Sequence, residues 1–290
     1  MPRKFHRHEA VGRALRAIAT SEIKVARRAS ADAAADEKKA VHDVRRQLKR
    51  LRALIRLARG GFDDYAHENK AFRDLGRRLS GAREAEVLGS TYDAVVVRAG
   101  LDPPAALRRL LLEGHADAGS GALADTLARD IVPVLEDASA RVGHWRFDRK
   151  GFSLIGAGAH RTYRQMRDAG LEARLNTSAA SLHEWRKQVK YHAAQLQYLS
   201  PVAPEMLVPR RRTADQLADL LGEHHDLDQL RAALDRLDMT DEQRHALVTA
   251  IEARCGELET EAFQHGDDLA GDDPEQFAQR LAGHWRAWRR

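Results

Sequence analysis

Two blocks of the sequence repeat each other at an almost constant spacing, and this repeat constrains the fold more than any other feature. Residues 42–49 (HDVRRQLK) match residues 183–190 (HEWRKQVK) at an offset of 141 residues. Residues 79–88 (LSGAREAEVL) match residues 221–230 (LGEHHDLDQL) at an offset of 142 residues. Paired matches of this kind indicate a duplicated structural unit. We therefore expect one domain over residues 1–290 with two similar halves.

Composition predicts that both halves are helical. Aromatic residues make up only 6% of the chain and there are 8 prolines. Alternating β-branched runs are scarce, and the best strand candidate, residues 91–97 (TYDAVVV), lies between helical patterns. Glycine- and proline-containing breaks divide the chain into about eight to ten helices. The main break, residues 143–159, separates the halves 1–150 and 151–290, and the predicted fold class is all-α.

The first repeated block places a stripe of cations along one face of a predicted helix. At about 100° per residue, one face carries His42, Arg45, Lys49, Arg52 and Arg56, flanked by Arg46 and Arg50. The adjoining face is apolar and is predicted to pack inward. Like charges along a helix repel each other, so an anion is expected to compensate them.

The second half repeats this stripe. Its members are His183, Arg186 and Lys190, with Lys187 beside them and with Arg161, Arg164 and Arg167 on the preceding helix. Residues 1–150 carry a net charge of +9 and residues 151–290 a net charge of −4, for +5 in total. Two stripes that face each other across a groove would focus positive potential and hold a polyanion.

These motifs resemble the conserved histidine α-helical domain, the CHAD family. The resemblance is carried by His42-x-x-Arg45-x-x-x-Lys49-Arg50-x-Arg52, the weaker copy from His183, the segments 79–88 and 221–230, Trp145 and residues 161–167. It implies two antiparallel helical bundles related by pseudo-twofold symmetry around a basic channel. It also implies binding of inorganic polyphosphate, and association with polyphosphate granules for some members.

The resemblance and the stripes together define the candidate polyphosphate-binding residues. They are His42, Arg45, Arg46, Lys49, Arg50, Arg52, Arg56, Arg83, Arg161, Arg164, Arg167, His183, Arg186, Lys187 and Lys190. The chain departs from the family pattern at Ala193 and Ala194, where the second copy often has a basic residue and an aromatic one. Glu84 replaces the usual Asp in the first half. A non-catalytic binding protein without a cofactor is expected.

A metal-dependent phosphohydrolase is the main competing hypothesis. His224, His225 and Asp226 are adjacent, and His183 or His192 would supply a further ligand. The repeat argues against this hypothesis, because Arg83 is the residue of the first half that aligns with His225, and an arginine does not ligate a metal. Asp226 and Glu84 are instead expected to orient the cations of the stripes by charge-assisted hydrogen bonds.

Other interpretations have less support in the sequence. A sequence-independent nucleic-acid binder would use the same phosphate contacts, but Tyr191 and Tyr198 are the only aromatic residues close to a stripe. Residues 156–158 (GAG) hint at a phosphate loop or a flexible linker, and the tryptophans of 280–290 at base stacking or helix docking. The single Cys255 excludes an internal disulfide. No apolar run reaches the length of a membrane span or a signal peptide, so a cytoplasmic location is expected.

Overall fold

The computed structural model describes residues 3–79, 84–113 and 125–290, and within these ranges the fold is all-α, as predicted. The helices are α1 (Val11–Ala31), α2 (Glu37–Leu57), α3 (Tyr65–Arg78), α4 (Glu84–Ala99), α5 (Ala105–Glu113), α6 (Val132–Gly143), α7 (Phe152–Leu175), α8 (Ala179–Leu199), α9 (Pro204–Leu234), α10 (Asp241–Ala270) and α11 (Pro274–Arg289). A π-helical turn, Leu127–Ile131, leads into α6. No helix of the described part combines the length and apolarity that crossing a bilayer requires.

Side-chain caps determine where the two repeat-bearing helices begin. The Asp36 carboxylate accepts a hydrogen bond from the Lys39 backbone N–H at the start of α2. At the start of α8, Ser178 and Ser181 form a reciprocal capping box. Each cap satisfies backbone N–H groups that lack a partner within the helix. The caps therefore fix the first residue of each of the two helices that carry a cationic stripe.

One large hydrophobic core holds α2 and α8 at its centre. Val44, Leu48 and Leu51 of α2 are buried in it, as are Val189 and Leu196 of α8. These residues occupy the apolar faces of the two helices, and α2 packs directly against α8. Burying these apolar faces positions the cationic faces that adjoin them.

A second hydrophobic cluster joins α4 and α5 to α9 and α10. Leu88 and Tyr92 of α4 and Leu107 of α5 pack with Leu227 and Leu230 of α9. Both clusters therefore contain residues from each side of residue 150. The hydrophobic packing does not follow the boundary between the two sequence halves.

The break between the halves is shorter than the sequence predicts. Helix α7 begins at Phe152, so residues 156–158 are helical and form neither a phosphate loop nor a linker. A Cβ atom on Gly158 would lie 2.1 Å from the carbonyl oxygen of Leu57. Glycine is needed there because the backbones of α7 and α2 approach so closely. The predicted loop at 114–122 lies outside the described residues.

Two further interpretations are settled by the fold. Residues 91–97 lie within α4, in agreement with the all-α prediction and with their position between helical patterns. At the C-terminus, Trp285 is buried and packs edge to face on Phe5 at a ring-centroid distance of 6.2 Å. This tryptophan docks helix α11 onto the core.

His192 is a buried titratable group on α8. Its ring packs near Tyr163 and Phe277, and its Nε2 atom has no hydrogen-bond partner among the described residues. Burial, together with the charge of Arg210, lowers the pKa of His192 to about 3. The imidazole is therefore neutral in the folded protein at neutral pH.

We expect His192 to reduce stability in acid. Its ordinary pKa is 6.5 and its folded pKa is about 3, so its contribution is fully present above 6.5 and is lost as pH falls towards 3. His192→Leu should therefore lose less stability than the native protein between about pH 7 and about pH 4.5, by on the order of 2 kcal/mol. Urea unfolding at the two pH values measures this difference, and a packing defect common to both values cancels.

The exposed His245 gives the matched control, His245→Leu. Identical pH dependence of unfolding in native protein, control and His192→Leu would contradict the assignment of a buried neutral imidazole.

Candidate functional site

The two repeated blocks meet where α2 packs against α8. Lys49 of α2 lies close enough to His183 and Lys190 of α8 for its charge to lower the pKa of both groups. Residues far apart in the sequence thus place cationic side chains at one helix contact. Such a contact raises the local positive potential.

Lys190 is the most perturbed cation at this contact. Burial is the largest cause that lowers its pKa from 10.5 to about 7, and the charges of Arg186 and Lys49 lower it further. Asp219 and Asp226 of α9 act in the opposite direction but do not restore the ordinary value. The ammonium and the neutral amine therefore coexist near neutral pH.

His225 of α9 joins the same group of side chains. Its ring centroid lies 4.6 Å from that of His183. Burial lowers the pKa of His225 to about 4, and Arg186, His183 and Lys190 also contribute. We call Lys49, His183, Arg186, Lys190 and His225 the central cluster. It draws on α2, α8 and α9.

The second repeated segment makes room for the arginine of this cluster. A Cβ atom on Gly222 would lie 3.4 Å from a terminal guanidinium nitrogen of Arg186, so this arginine lies against the backbone of α9. In the first half, Arg45 donates a hydrogen bond of 2.6 Å to the carbonyl oxygen of Leu79. Leu79 and Leu221 correspond in the repeat. Arg45 thus contacts the repeated segment 79–88 of the first half, and Arg186 contacts the equivalent segment 221–230 of the second half.

Arg52 and Arg56 reach across from α2 to a tyrosine of α8. Their guanidinium carbons lie 5.5 Å and 4.1 Å from the ring centroid of Tyr191. Arg52 also donates to the Asn69 side-chain oxygen at 3.2 Å. Burial lowers the pKa of Arg52. Cation–π contacts hold these two arginines beside the central cluster.

Arg50 faces a different partner. Its guanidinium donates two hydrogen bonds to Glu22 of α1, at 2.8 Å and 3.1 Å, and a third of 2.8 Å to Gln197. The Glu22 side chain is only 3% exposed. Burial and this carboxylate raise the pKa of Tyr198, whose hydroxyl donates to Glu22 at 3.2 Å. Arg50 therefore ties α2 to α1 and α8 through a buried ion pair.

Two of the other candidates form short-range ion pairs on their own helices. Arg46 pairs with Asp43 at 3.0 Å, and Lys187 pairs with Glu184. His42 is half-buried on α2. These residues border the two motif faces.

The candidates on α7 are not gathered into the central cluster. Arg167 lies near Asp273 at the start of α11, while Arg161 is half-buried and Arg164 is exposed. None of the principal charges that act on Lys190, His183 or His225 comes from α7. Arg83 and the side chain of Glu84 lie outside the part of the chain that the structure describes.

Sequence reasoning missed three members of the site. His225 was considered only as a metal ligand, and Gly222 and Tyr191 were not singled out as partners of the stripes. Positions 222 and 225 lie within the second repeated segment, so pairing that segment with the His183 stripe would have found them. Nothing in the sequence indicates that Tyr191 contacts two arginines from the other half.

The surroundings of His225 oppose cation binding. Arg186, Lys190 and His183 surround it, and a metal cation would be repelled by the charge of Arg186 and by Lys190 in its ammonium form. His224 instead contacts Glu259, with 2.9 Å between Nε2 and Oε1. Among the described residues, no three His, Cys, Asp or Glu side chains converge as a metal site would require.

Cys255 is not placed as a nucleophile. Burial, followed by the charges of Glu259 and Asp228, raises the pKa of the thiol to about 11. Reactive cysteines instead lie in electropositive surroundings that lower the pKa.

Comparison with known proteins identifies one family. The family model described as CHAD domain matches residues 10–235, more than three quarters of the chain. The matched region contains the central cluster and ends just after α9. This family is associated with polyphosphate binding. No curated protein matches the chain.

Removing the partner of Arg50 should destabilise the fold strongly. Glu22→Leu leaves a mostly buried guanidinium without its carboxylate, which we expect to cost about 3 kcal/mol of unfolding free energy. Glu22→Leu combined with Arg50→Met removes both charges and should recover most of that loss. Denaturant unfolding measures all three proteins.

The exposed pair Arg27 and Glu136 supplies the control. Glu136→Leu should change stability by less than about 1 kcal/mol. If Glu22→Leu lost equally little unfolding free energy, the prediction would be wrong, and Arg50 would not depend on Glu22 as its partner.

Proposed function

This chain belongs to the CHAD family, and we propose that it binds inorganic polyphosphate at the contact between α2 and α8. The observation that carries the proposal is the convergence of Lys49, His183 and Lys190 from the two repeated motifs. A folded chain that holds these groups together bears mutual repulsion. A polyanion relieves it, which favours binding of a ligand with closely spaced negative charges.

The length of the cationic face suits a linear chain of phosphates. Lys49 and Arg56 are separated by about 10 Å along α2, at about 1.5 Å per residue. Arg52 and Arg56 lie further along the same helix, where both contact the Tyr191 ring. Guanidinium groups bind phosphate oxygens through paired hydrogen bonds, whereas lysine acts as a point charge. We propose that successive phosphates follow this face.

The parallel roles of Arg45 and Arg186 support a basic channel built from a duplicated unit. Arg45 contacts Leu79, and Arg186 lies against Gly222, the residue after the repeat partner Leu221. We propose that the two bundles are related by pseudo-twofold symmetry and that their motif helices form opposite walls of one channel. In this arrangement Arg50 supports the wall from behind through Glu22.

Binding without catalysis agrees best with the chemistry of the cluster. Its members are cations or bases, and Cys255 and His224 have the environments described above, so no activated nucleophile or metal-bound water is assigned. We propose a cytoplasmic, cofactor-independent binder that associates with polyphosphate granules. Nucleic acid is a poorer fit, because Tyr191 and Tyr198 are buried and offer no face for base stacking.

Removing a charge from either wall should weaken binding. Lys49→Met and Lys190→Met should each reduce the affinity for medium-chain polyphosphate by about tenfold to about a hundredfold, since a charge-assisted contact contributes about 1.5–3 kcal/mol. The loss of binding free energy in the double variant should differ from the sum of the losses in the two single variants, because both groups contact one ligand. Calorimetric titration of the full chain measures the affinities, and thermal unfolding checks that each variant remains folded.

The exposed lysines Lys24 and Lys150 provide matched controls as Lys24→Met and Lys150→Met. Equal losses in all four variants would indicate a diffuse charge effect and no defined site. Affinity should fall steeply with added salt and should be unaffected by a chelator. Binding abolished by a chelator, or an equal preference for DNA at matched charge concentration, would overturn the proposal in favour of a metal-dependent or nucleic-acid-binding function.

A further inference from the structure

The His183–His225 pair is the feature of the central cluster that polyphosphate binding alone does not explain. The two rings come from different helices, α8 and α9, and their centroids are 4.6 Å apart at an interplanar angle of 46°. Both rings lie among permanent or potential cations. A purely electrostatic phosphate site would use arginine at both positions, because a guanidinium stays charged at neutral pH.

The charges that act on this pair come from α2, α8 and α9. Helix α8 contributes Arg186 and Lys187, with Glu184 opposing them at His183. Helix α2 contributes Lys49, and α9 contributes His224 next to His225. Protonating either ring in the free protein therefore adds a positive charge to a group that is already positive.

Lys190 completes this arrangement between the two histidines and α2. It faces Lys49 from α2, Arg186 from its own helix, and Asp219 and Asp226 from α9. The two carboxylates do not offset the combined effect of burial and the neighbouring cations. The free site therefore holds three basic groups wholly or partly unprotonated near neutral pH, namely Lys190, His183 and His225.

A bound anion shifts these basic groups towards their protonated forms. Phosphate oxygens within hydrogen-bond distance favour the charged form of each basic group, both by Coulomb attraction and by accepting its N–H bonds. The same geometry that suppresses protonation in the free protein therefore favours it in the complex. By linkage, a ligand that raises the proton affinity of a group binds more tightly as the pH falls.

We propose that His225 belongs to the anion site, and that binding of a phosphate chain there is coupled to proton uptake by Lys190, His183 and His225. This inference rests on the polyphosphate-binding function proposed above and assigns it a pH dependence. Each proton is transferred from water or buffer to a ring nitrogen or the Lys190 Nζ, and no covalent bond to phosphate forms.

The direction of the pH effect follows from the free-protein pKa values, about 7 for Lys190 and about 4 for His225. Polyphosphate raises both. At constant ionic strength, affinity should fall as pH rises from about 5 to about 8, by up to about tenfold per pH unit for each proton taken up. Lys190 contributes mainly above neutral pH, and the histidines contribute below it.

Calorimetric titration of the full chain with medium-chain polyphosphate tests the inference directly. Heats are measured at about pH 6 and about pH 7.5 in buffers of different ionisation enthalpy, and their difference gives the number of protons exchanged. We expect net uptake at both pH values. Binding that exchanges no protons would overturn the coupling while leaving the proposed function intact. Absence of any binding would overturn the proposed function, and the coupling with it.

Two conservative variants separate the contributing groups. Lys190→Arg keeps a permanent positive charge, so proton uptake at about pH 7.5 should be lost and affinity at that pH should increase. His225→Gln removes a titrating ring, so uptake at about pH 6 should decrease. The matched controls Lys24→Arg and His245→Gln carry the same changes at exposed positions. Proton uptake unchanged in both cluster variants would assign it to other groups of the protein and refute the role of these residues.

Discussion

Burial of the apolar faces of α2 and α8 forces like charges together, and the rest of the site depends on that constraint. Leu48, Leu51 and Val189 are excluded from water in the main core. The adjoining faces then bring Lys49 close to His183 and Lys190. Hydrophobic burial is roughly proportional to area and has no direction, so it can hold a contact that electrostatics alone would open. The packing of the core therefore holds these basic groups together.

Two features allow the helices to approach closely enough for this to happen. Gly158 lets α7 lie directly on the backbone of α2 beside Leu57. The guanidinium of Arg50 fixes α2 against α1 through Glu22 and against α8 through Gln197. An unpaired charge at that depth would be costly, so the pair specifies how these helices are positioned. The family motif thus contains an arginine, Arg50, that supports the packing of the helices.

Much of this arrangement could be predicted from the sequence. The repeat, the cationic stripes and the scarcity of strand patterns predicted an all-α chain and the CHAD family, both of which are confirmed. Position on a helix face, however, does not reveal what that face meets. Arg50 lies beside the stripe but turns to Glu22, whereas Arg52 and Arg56 turn to Tyr191. The arginines on α7 share a helical phase without joining the central cluster.

The sequence by itself determined the helical periodicity, the caps, the apolar faces and the recurrence of His-x-x-Arg-x-x-x-Lys, because these depend on residues within a few turns of one another. Tertiary structure decided which cations converge, that His225 packs beside His183, and that α4 and α5 pack with α9 and α10 across the boundary of the halves. Those contacts join residues far apart in the chain. Their geometry is set by the packing of whole helices, which local pattern does not encode.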